Sequence, residues 1–128
     1  MVPVSSHVQA IPGLMIYRYH HSMYYANAEL FSQEVLDLVN SAQPPLTWFC
    51  IDATAVDDVD FTAAATLRET YKLLKEKGVR LVLAEVEDDI RSELDRSNVT
   101  ELIGKDAYFE TLGDVETAYR ATLSSKQP

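Results

Sequence analysis

Two short apolar runs constrain the fold of this chain more than any other feature of its sequence. The runs LTWFCID (46–52) and VRLVLA (79–84) are almost continuously hydrophobic, as is typical of strands that are covered on both faces. Between them, apolar residues recur at helical spacing over about residues 61–77, and Gly78 follows as a helix stop. This order predicts a βαβ unit whose two strands lie parallel in one sheet.

Further strand and helix signals precede this unit. HVQAI and LMIYRY surround the turn dipeptide Pro12-Gly13, which predicts a β-hairpin over residues 7–19. The segment ANAELFSQEVLDLVNSA (26–42) has apolar residues at helical spacing, with Asn27 as the expected N-cap. We therefore expect a hairpin and a helix before the βαβ unit.

The helical signals after the second buried strand are shorter. DDIRSELDRS predicts a short helix, and NVTELIG predicts a helical turn that is capped by Asn98, has Glu101 at its third position and stops at Gly104. AYFETL indicates a short strand, and DVETAYRATL predicts a further helix.

These elements fit one domain of the α/β class. The order predicts an α/β sandwich with a mixed β-sheet, an N-terminal hairpin and four to five helices. A chain of 128 residues is long enough to bury one core of this kind. We place the domain at residues 7–123, between termini at 1–6 and 124–128 that we expect to be flexible.

The composition excludes several classes of function. The 20 acidic and 11 basic residues give a formal charge of −9, which argues against a nucleic-acid surface, because counterion release needs clustered Lys and Arg. No apolar stretch approaches the ~20 residues that span a bilayer, so we expect no direct membrane insertion. The single cysteine, Cys50, lies in an apolar run, and we expect a buried thiol in a reducing compartment.

The sequence offers no evident catalytic or metal-binding group. No nucleophile–base pair is visible among Cys50, Thr62 and the histidines His7, His20 and His21. The adjacent His20 and His21 would point to opposite faces of an extended segment, which disfavours a shared metal ion. We therefore expect neither an enzyme nor a metal site.

Three segments resemble the STAS domains (sulphate transporter and anti-sigma-factor antagonist). The most specific is IPGLMIYRYHHSMYYANAELF (11–31), which is similar to the opening of the STAS domains at the cytoplasmic C-terminus of SulP-type anion transporters. FCIDATAVDDVDFTAAATLRE (49–69) and KEKGVRLVLAEVEDDIRSELDRSNVTELIG (75–104) resemble later parts of the same domains. The similarity extends over roughly residues 8–122.

The resemblance implies a STAS-like fold and a regulatory role. It implies a non-catalytic protein-interaction domain at the cytoplasmic face of the cell membrane, where its partners are the transmembrane domain of a parent transporter and other cytoplasmic proteins. It also implies GTP or ATP as a regulatory ligand. The chain has only four glycines and neither GxxxxGK[ST] nor GxGxxG, so a nucleotide would depend on helix N-termini or on Mg²⁺ and bind weakly. Two alternatives stay open: a stand-alone domain like the anti-sigma-factor antagonists with a phosphorylation switch, and a Mg²⁺-dependent nucleotide-binding domain.

Thr62 is the candidate regulatory residue. In the anti-sigma-factor antagonists a hydroxyl of a D-S-S-G element is phosphorylated, and the resemblance aligns that element with Asp60, Phe61, Thr62 and Ala63. A phosphate on the first helical turn would meet free N–H groups, although it would lie beside several carboxylates. The alternative, which we favour, is that Asp60 and Thr62 only begin a helix.

Two acidic segments follow the two buried strands. If these strands are parallel neighbours, both segments lie at the carboxyl edge of the sheet, where α/β folds place their sites. Such carboxylates could bind Mg²⁺ or Ca²⁺, but their spacing matches no EF-hand, so we favour a solvated acidic face that attracts an electropositive partner. The carboxylates considered are Asp52, Asp57, Asp58, Asp60, Glu85, Glu87, Asp88 and Asp89, and the candidate partner surface comprises Asp57, Asp58, Asp60, Thr62, Glu87, Asp88 and Asp89.

A third group of residues lies just before the first helix. Tyr24, Tyr25 and Asn27 belong to the segment that resembles the STAS domains. Packing and helix capping explain them best, and contact with a membrane domain is the functional alternative, because tyrosines are enriched at protein interfaces.

Overall fold

The computed structural model describes residues 5–19, 25–54, 56 and 61–125. Its elements are β1 (Ser5–Ile11), β2 (Leu14–Tyr19), α1 (Tyr25–Ser41), β3 (Trp48–Asp52), α2 (Phe61–Glu76), β4 (Arg80–Ala84), α3 (Asp88–Arg96), α4 (Val99–Ile103), a 3-10 turn (Lys105–Ala107), β5 (Tyr108–Phe109) and α5 (Leu112–Ser125).

The strands form one mixed sheet in the order β1-β2-β3-β4-β5. β1 pairs with β2 in the antiparallel sense, and β2–β3, β3–β4 and β4–β5 are parallel pairs. The predicted hairpin and βαβ unit are therefore confirmed, and so is the α/β sandwich with five α-helices.

The two faces of the sheet are covered very differently. Alternate residues of the buried strands point to opposite faces, so that Phe49 and Ile51 pack with α1–α4 whereas Trp48 and Cys50 pack with α5. Both faces of β3 are buried, which explains its continuous apolar sequence. On the second face the described helical cover is α5 alone, through residues that include Leu112, Val115 and Tyr119.

Gly13 in the hairpin turn makes a close contact with α5. Its φ of +93° is in the region that favours glycine, and a Cβ atom placed there would lie 2.2 Å from Tyr119 Oη. Tyr119 Oη donates a hydrogen bond to the Pro12 carbonyl at 2.8 Å and lies 3.1 Å from Thr47 Oγ1. The first turn of the sheet and the last described helix are thus joined directly.

One predicted helix cap is wrong, and another is confirmed in position only. α1 begins at Tyr25, so Asn27 lies inside the helix instead of capping it. Asn98 does precede α4, but it adopts a left-handed conformation with φ of +65°, and its side chain makes no cap hydrogen bond. The backbone turn between α3 and α4 therefore determines the conformation of Asn98, and the capping box that the sequence suggested does not form. The predicted stop at Gly104 is confirmed.

The first strand and the last helix reach slightly beyond the predicted domain bounds of 7–123, and the flexibility of the termini stays a prediction. β1 begins at Ser5 and α5 ends at Ser125, so each element extends into a segment that we expected to be flexible. Residues 1–4 and 126–128 lie outside the described residues.

Candidate functional site at the carboxyl edge of the sheet

The carboxyl ends of β3 and β4 lie side by side, as predicted. Asp52 is the last residue of β3 and is in register with Ala84, the last residue of β4. The Ala53 N–H donates to the Ala84 carbonyl at 2.9 Å, so the two strands remain paired at the point where their loops begin. The segments that carry the acidic residues thus leave the sheet from one edge.

Asp52 is the centre of a buried polar cluster at this edge. Its side chain is fully buried and accepts hydrogen bonds from Arg18 Nε at 2.7 Å, from the Thr54 N–H at 2.9 Å and from the Thr54 hydroxyl. Burial acts to raise the pKa of Asp52, but the hydrogen bonds from Thr54 and then Arg18 outweigh it and hold the pKa below its usual value. Asp52 is therefore an ionised structural residue, and its placement in a solvated acidic face was wrong.

Arg18 brings a positive charge to the same edge. It lies on β2 directly opposite Asp52, and this register explains the ion pair between residues that are 34 positions apart. Its side chain is 44% exposed, so the guanidinium group also reaches the surface. Three consecutive strands, β2, β3 and β4, are consequently tied together at their carboxyl ends.

Glu85 has a structural role as well. It follows β4 with a φ of +61°, and its side chain accepts a hydrogen bond from the Leu112 N–H at 3.1 Å. Leu112 is the first residue of α5, where backbone N–H groups lack partners within the helix. Glu85 therefore links the β4 edge to the beginning of α5.

Of the acidic residues considered at this edge, the three others that the structure describes form an exposed surface, as predicted. Glu87 immediately precedes α3, and Asp88 and Asp89 occupy its first turn. All three are exposed, and carboxylates in this position interact favourably with the helix dipole. They are available to a partner without any rearrangement of the fold.

Several predicted site residues cannot be placed in this geometry. Four of them lie outside the described residues: Asp57, Asp58, Asp60 and Tyr24. For three others the structure describes the backbone but not the side chain: Thr62, Tyr25 and Asn27. Thr62 is the second residue of α2, so it does lie in the first helical turn. Its phosphorylation remains a prediction, as does the membrane-domain contact of Tyr24, Tyr25 and Asn27.

The described part of this edge offers no reactive group. A cavity of about 20 Å³ beneath Val56 is lined only by apolar side chains, which include Ile51, Leu67 and Ile90. Cys50 is buried, and burial, together with the charges of Asp52 and Glu85, raises the pKa of its thiol far above the usual range. Within the described ranges, no three His, Cys, Asp or Glu residues are grouped so that they could hold a metal ion.

Comparisons with known proteins identify the family. The model of the STAS domain matches residues 5–115, which is most of the chain, and this chain therefore belongs to the STAS domain family. The resemblance that the sequence suggested is confirmed.

Several of the proteins that this chain is similar to are anion transporters. A probable sulfate transporter of Mycobacterium tuberculosis is 33% identical over 110 residues, which cover 86% of this chain and 20% of that protein. The murine Solute Carrier 26 family member A9 anion transporter, in the inward-facing state, has a TM-score of 0.78 at 22% identity and covers 88% of this chain and 18% of its own. A putative anti-sigma factor antagonist from Thermotoga maritima has a TM-score of 0.75 at 15% identity and covers 90% and 93%.

The comparisons also show how much of each relative's length this chain covers. It spans about a fifth of the length of the curated sulfate transporters that it matches. Among the described residues, the helices are too short or too polar to cross a bilayer.

Sequence reasoning missed the Arg18–Asp52 ion pair. Both residues lie in segments that resemble the family, IYR and FCID, but each was considered separately. The available signal was positional, since an arginine near the end of β2 and an aspartate at the end of β3 become neighbours once the strands are taken as parallel.

Proposed function

We propose that this chain is the cytoplasmic regulatory domain of a sulfate or related anion transporter, and that it acts through protein contacts without catalysis. The observation that carries the proposal is that nearly the whole chain matches one fifth of a probable sulfate transporter. A match of this kind is expected if a folded module belongs to a larger protein whose remaining four fifths perform transport.

The chemistry of the carboxyl edge supports a role in binding. Asp52 and Glu85 are engaged in holding the fold together, and the Cys50 thiol is buried. What the described edge presents to solvent is mainly negative charge, since Glu87, Asp88 and Asp89 are exposed and the partly exposed Arg18 is paired with Asp52. A surface of this kind attracts an electropositive partner, and cytoplasmic loops of membrane proteins carry an excess of Lys and Arg. The transmembrane domain of the parent transporter is therefore the proposed partner, and other cytoplasmic proteins are further candidates.

The test is a transport assay on the full-length protein that contains this chain. We expect the triple variant Glu87→Lys/Asp88→Lys/Asp89→Lys to reduce sulfate uptake by at least about threefold while surface expression is unchanged, because it reverses the charge that meets the partner. The matched control is Asp37→Lys/Glu69→Lys/Glu76→Lys, which makes the same charge change at exposed positions on α1 and α2, outside this edge. Equal uptake in both variants and in a deletion of the whole domain would refute the proposal.

A phosphorylation switch like that of the antagonists is the second candidate. It is supported by the likeness to the putative antagonist from Thermotoga maritima and by the position of Thr62 in the first turn of α2, where a phosphate would meet free N–H groups. Mass spectrometry of the protein from its native cells tests it. A modified Thr62, together with altered partner binding in Thr62→Glu but not in Thr62→Val, would favour the switch.

Regulation by GTP or ATP is a separate prediction. A nucleotide that binds weakly at helix N-termini should shift backbone amide NMR signals in one contiguous region when GTP or ATP is added with Mg²⁺ at millimolar concentration. The absence of any shift under these conditions would remove the nucleotide and, with it, the alternative of a Mg²⁺-dependent nucleotide-binding domain.

A further inference from the structure

A groove of about 450 Å³ lies between α3, α4 and the following 3-10 turn. It is lined by Arg91, Asp95, Thr100, Glu101, Gly104 and Lys105, and it contains none of the carboxyl-edge residues described above. Its volume is within the range of sites that bind small molecules or single side chains of a partner.

The floor of the groove is a hydrogen-bonded chain with a fixed direction. Thr100 is only 8% exposed, and its Oγ1 lies 2.5 Å from Asp95 Oδ1 and 2.7 Å from Tyr108 Oη. Because a carboxylate can only accept, Thr100 donates to Asp95, and Tyr108 must then donate to Thr100. Asp95 is therefore held in place by the buried Thr100 hydroxyl, which is itself oriented by the half-buried Tyr108.

Asp95 retains binding capacity on the side of the groove. Arg91 Nε also donates to Oδ1, at 3.2 Å, and the Arg91 guanidinium stacks 3.8 Å from the centre of the Tyr108 ring. Among the described residues, Oδ2 accepts no hydrogen bond, and the side chain is 51% exposed. The hydrogen bond from Thr100, followed by that from Arg91, keeps the pKa of Asp95 below its usual value, so the carboxylate is ionised at neutral pH.

The surroundings of the groove are strongly negative. Residues 85–106 contain eight acidic and three basic side chains, and two of the basic ones, Arg91 and Arg96, are already paired with acidic residues of α3. Glu101 lines the groove, is exposed, and has no ion pair among the described residues. The lining itself balances Asp95 and Glu101 against Arg91 and Lys105, but Arg91 is engaged with Asp95 and with the Tyr108 ring. The negative surroundings therefore favour a further cation in this groove over an anion.

We propose that this groove binds one basic side chain of a partner protein, with its cationic group between Asp95 and Glu101. Because Lys105 on the same lining already offsets part of this acidic charge, the groove has capacity for one further cationic group and selects a single Arg or Lys over a run of basic residues. The inference rests on the proposed function in one respect, namely that the partner is a cytoplasmic loop of the transporter.

The test is an NMR titration with two matched peptides. The ¹⁵N-labelled chain is titrated with acetyl-Gly-Leu-Arg-Leu-Gly-amide and with the same peptide containing citrulline, which has nearly the shape of arginine but no charge. We expect the arginine peptide to shift amide signals within residues 91–105 and to bind at least about tenfold more tightly than the citrulline peptide. Equal affinities, or no shifts at millimolar peptide, would overturn the proposal.

Two variants locate the binding site. Asp95→Asn/Glu101→Gln should weaken the arginine peptide at least about tenfold, whereas Glu69→Gln/Glu110→Gln, with the same charge change outside the groove, should weaken it less than about twofold. Equal losses would mean nonspecific attraction to an acidic protein and would refute the site. Shifts of Arg91 and Lys105 signals by inorganic sulfate, with none by the peptide, would identify an anion site instead.

The peptide result and the transport result can fail independently. Peptide binding that persists while domain deletion leaves uptake unchanged would refute the proposed regulatory function and leave the groove as a docking site. Loss of uptake on deletion without peptide binding would refute the groove alone.

Discussion

At the scale of single residues, glycine and threonine positions show how closely this fold is packed. Gly13 and Gly78 both have a positive φ, but a Cβ atom would collide with Tyr119 Oη at Gly13 and would meet nothing within 4 Å at Gly78. Thr70 and Thr100 are both buried, but only the Thr100 hydroxyl has hydrogen-bond partners in the described structure. The two glycines therefore separate the steric collision from the backbone cost of a positive φ. The two threonines separate a buried hydroxyl with hydrogen-bond partners from one without.

Gly13→Ala should destabilise the protein more than Gly78→Ala. The backbone cost is common to both, about 1–3 kcal/mol, and the collision with Tyr119 adds about 1–3 kcal/mol at Gly13 only. Chemical denaturation measures both variants. The double variant Gly13→Ala/Tyr119→Phe should recover part of the additional loss, because it removes the colliding oxygen. Equal costs at the two glycines would contradict this account of the turn.

Thr70→Val should not lower the stability of the protein, whereas Thr100→Val should. Valine removes a buried hydroxyl without a partner at Thr70, which should leave the free energy of unfolding unchanged or raise it by about 1 kcal/mol. At Thr100 the same change leaves Asp95 and Tyr108 without their shared partner, which should lower it by about 1–3 kcal/mol. Urea denaturation of both variants is sufficient. Destabilisation by Thr70→Val would indicate that its hydroxyl is satisfied.

At the scale of secondary-structure elements, the carboxyl edge and α5 are held by a few long-range contacts. Arg18–Asp52 joins β2 to β3, Glu85 joins the end of β4 to α5, and Tyr119 joins α5 to the hairpin turn. These contacts are independent of the apolar core between the sheet and α1–α4.

The hydrogen bonds that Asp52 accepts from Thr54 and Arg18 should make stability depend on pH. The pKa of Asp52 is lowered in the folded state, so its stabilising contribution is complete above the unfolded value of about 3.9 and is lost as pH falls through the folded value. Asp52→Asn should therefore be less stable than the parent protein at pH 7, and the difference should shrink below about pH 4. Urea midpoints between pH 3 and pH 7 measure it. A difference that does not change with pH would contradict the ionised pair.

Cys50 should report the detachment of α5. Its buried thiol, with a raised pKa, should react very slowly with a disulfide reagent while α5 is bound. Tyr119→Ala should accelerate labelling at least about tenfold through local opening. Val35→Ala, a core truncation in α1 on the other face, is the control and should accelerate it far less. Equal acceleration would mean that Cys50 is exposed only by global unfolding.

The elements were largely predictable from sequence because their signals are local. Apolar periodicity located the helices, the two buried runs located β3 and β4, and Pro12-Gly13 located the hairpin turn. The Arg18–Asp52 pair was not predictable in this way, because it depends on strand register between residues far apart in sequence. The side-chain cap predicted at Asn98 is absent for a related reason. The turn between α3 and α4 places this residue in a left-handed conformation, which the local sequence pattern did not indicate.

At the scale of the whole molecule, the excess of acidic residues sets how a partner is found. The formal charge is −9, and the acidic side chains Glu87, Asp88, Asp89 and Glu101 are exposed. Association with an electropositive partner is then accelerated at low ionic strength and screened at high ionic strength.

The proposed function predicts that binding to the membrane-spanning part of a parent transporter weakens with salt. Between about 50 and 500 mM NaCl we expect the dissociation constant to rise at least about fivefold, mainly through a slower association rate. Surface plasmon resonance separates the two rates. The variant Glu87→Lys/Asp88→Lys/Asp89→Lys should show a smaller dependence on salt. Tighter binding at high salt would indicate an apolar interface instead.

The hydrogen bond from Tyr119 to Pro12 has a consequence for how the protein is made. It joins residues that are 107 positions apart, and α5 is the described helix that covers the face containing Trp48, Cys50 and Val82. During translation the hairpin and the central strands emerge from the ribosome well before α5 does. This apolar strip is therefore bare on every nascent chain for the time taken to synthesise the residues between β4 and Tyr119, and that interval is when a chaperone would be needed.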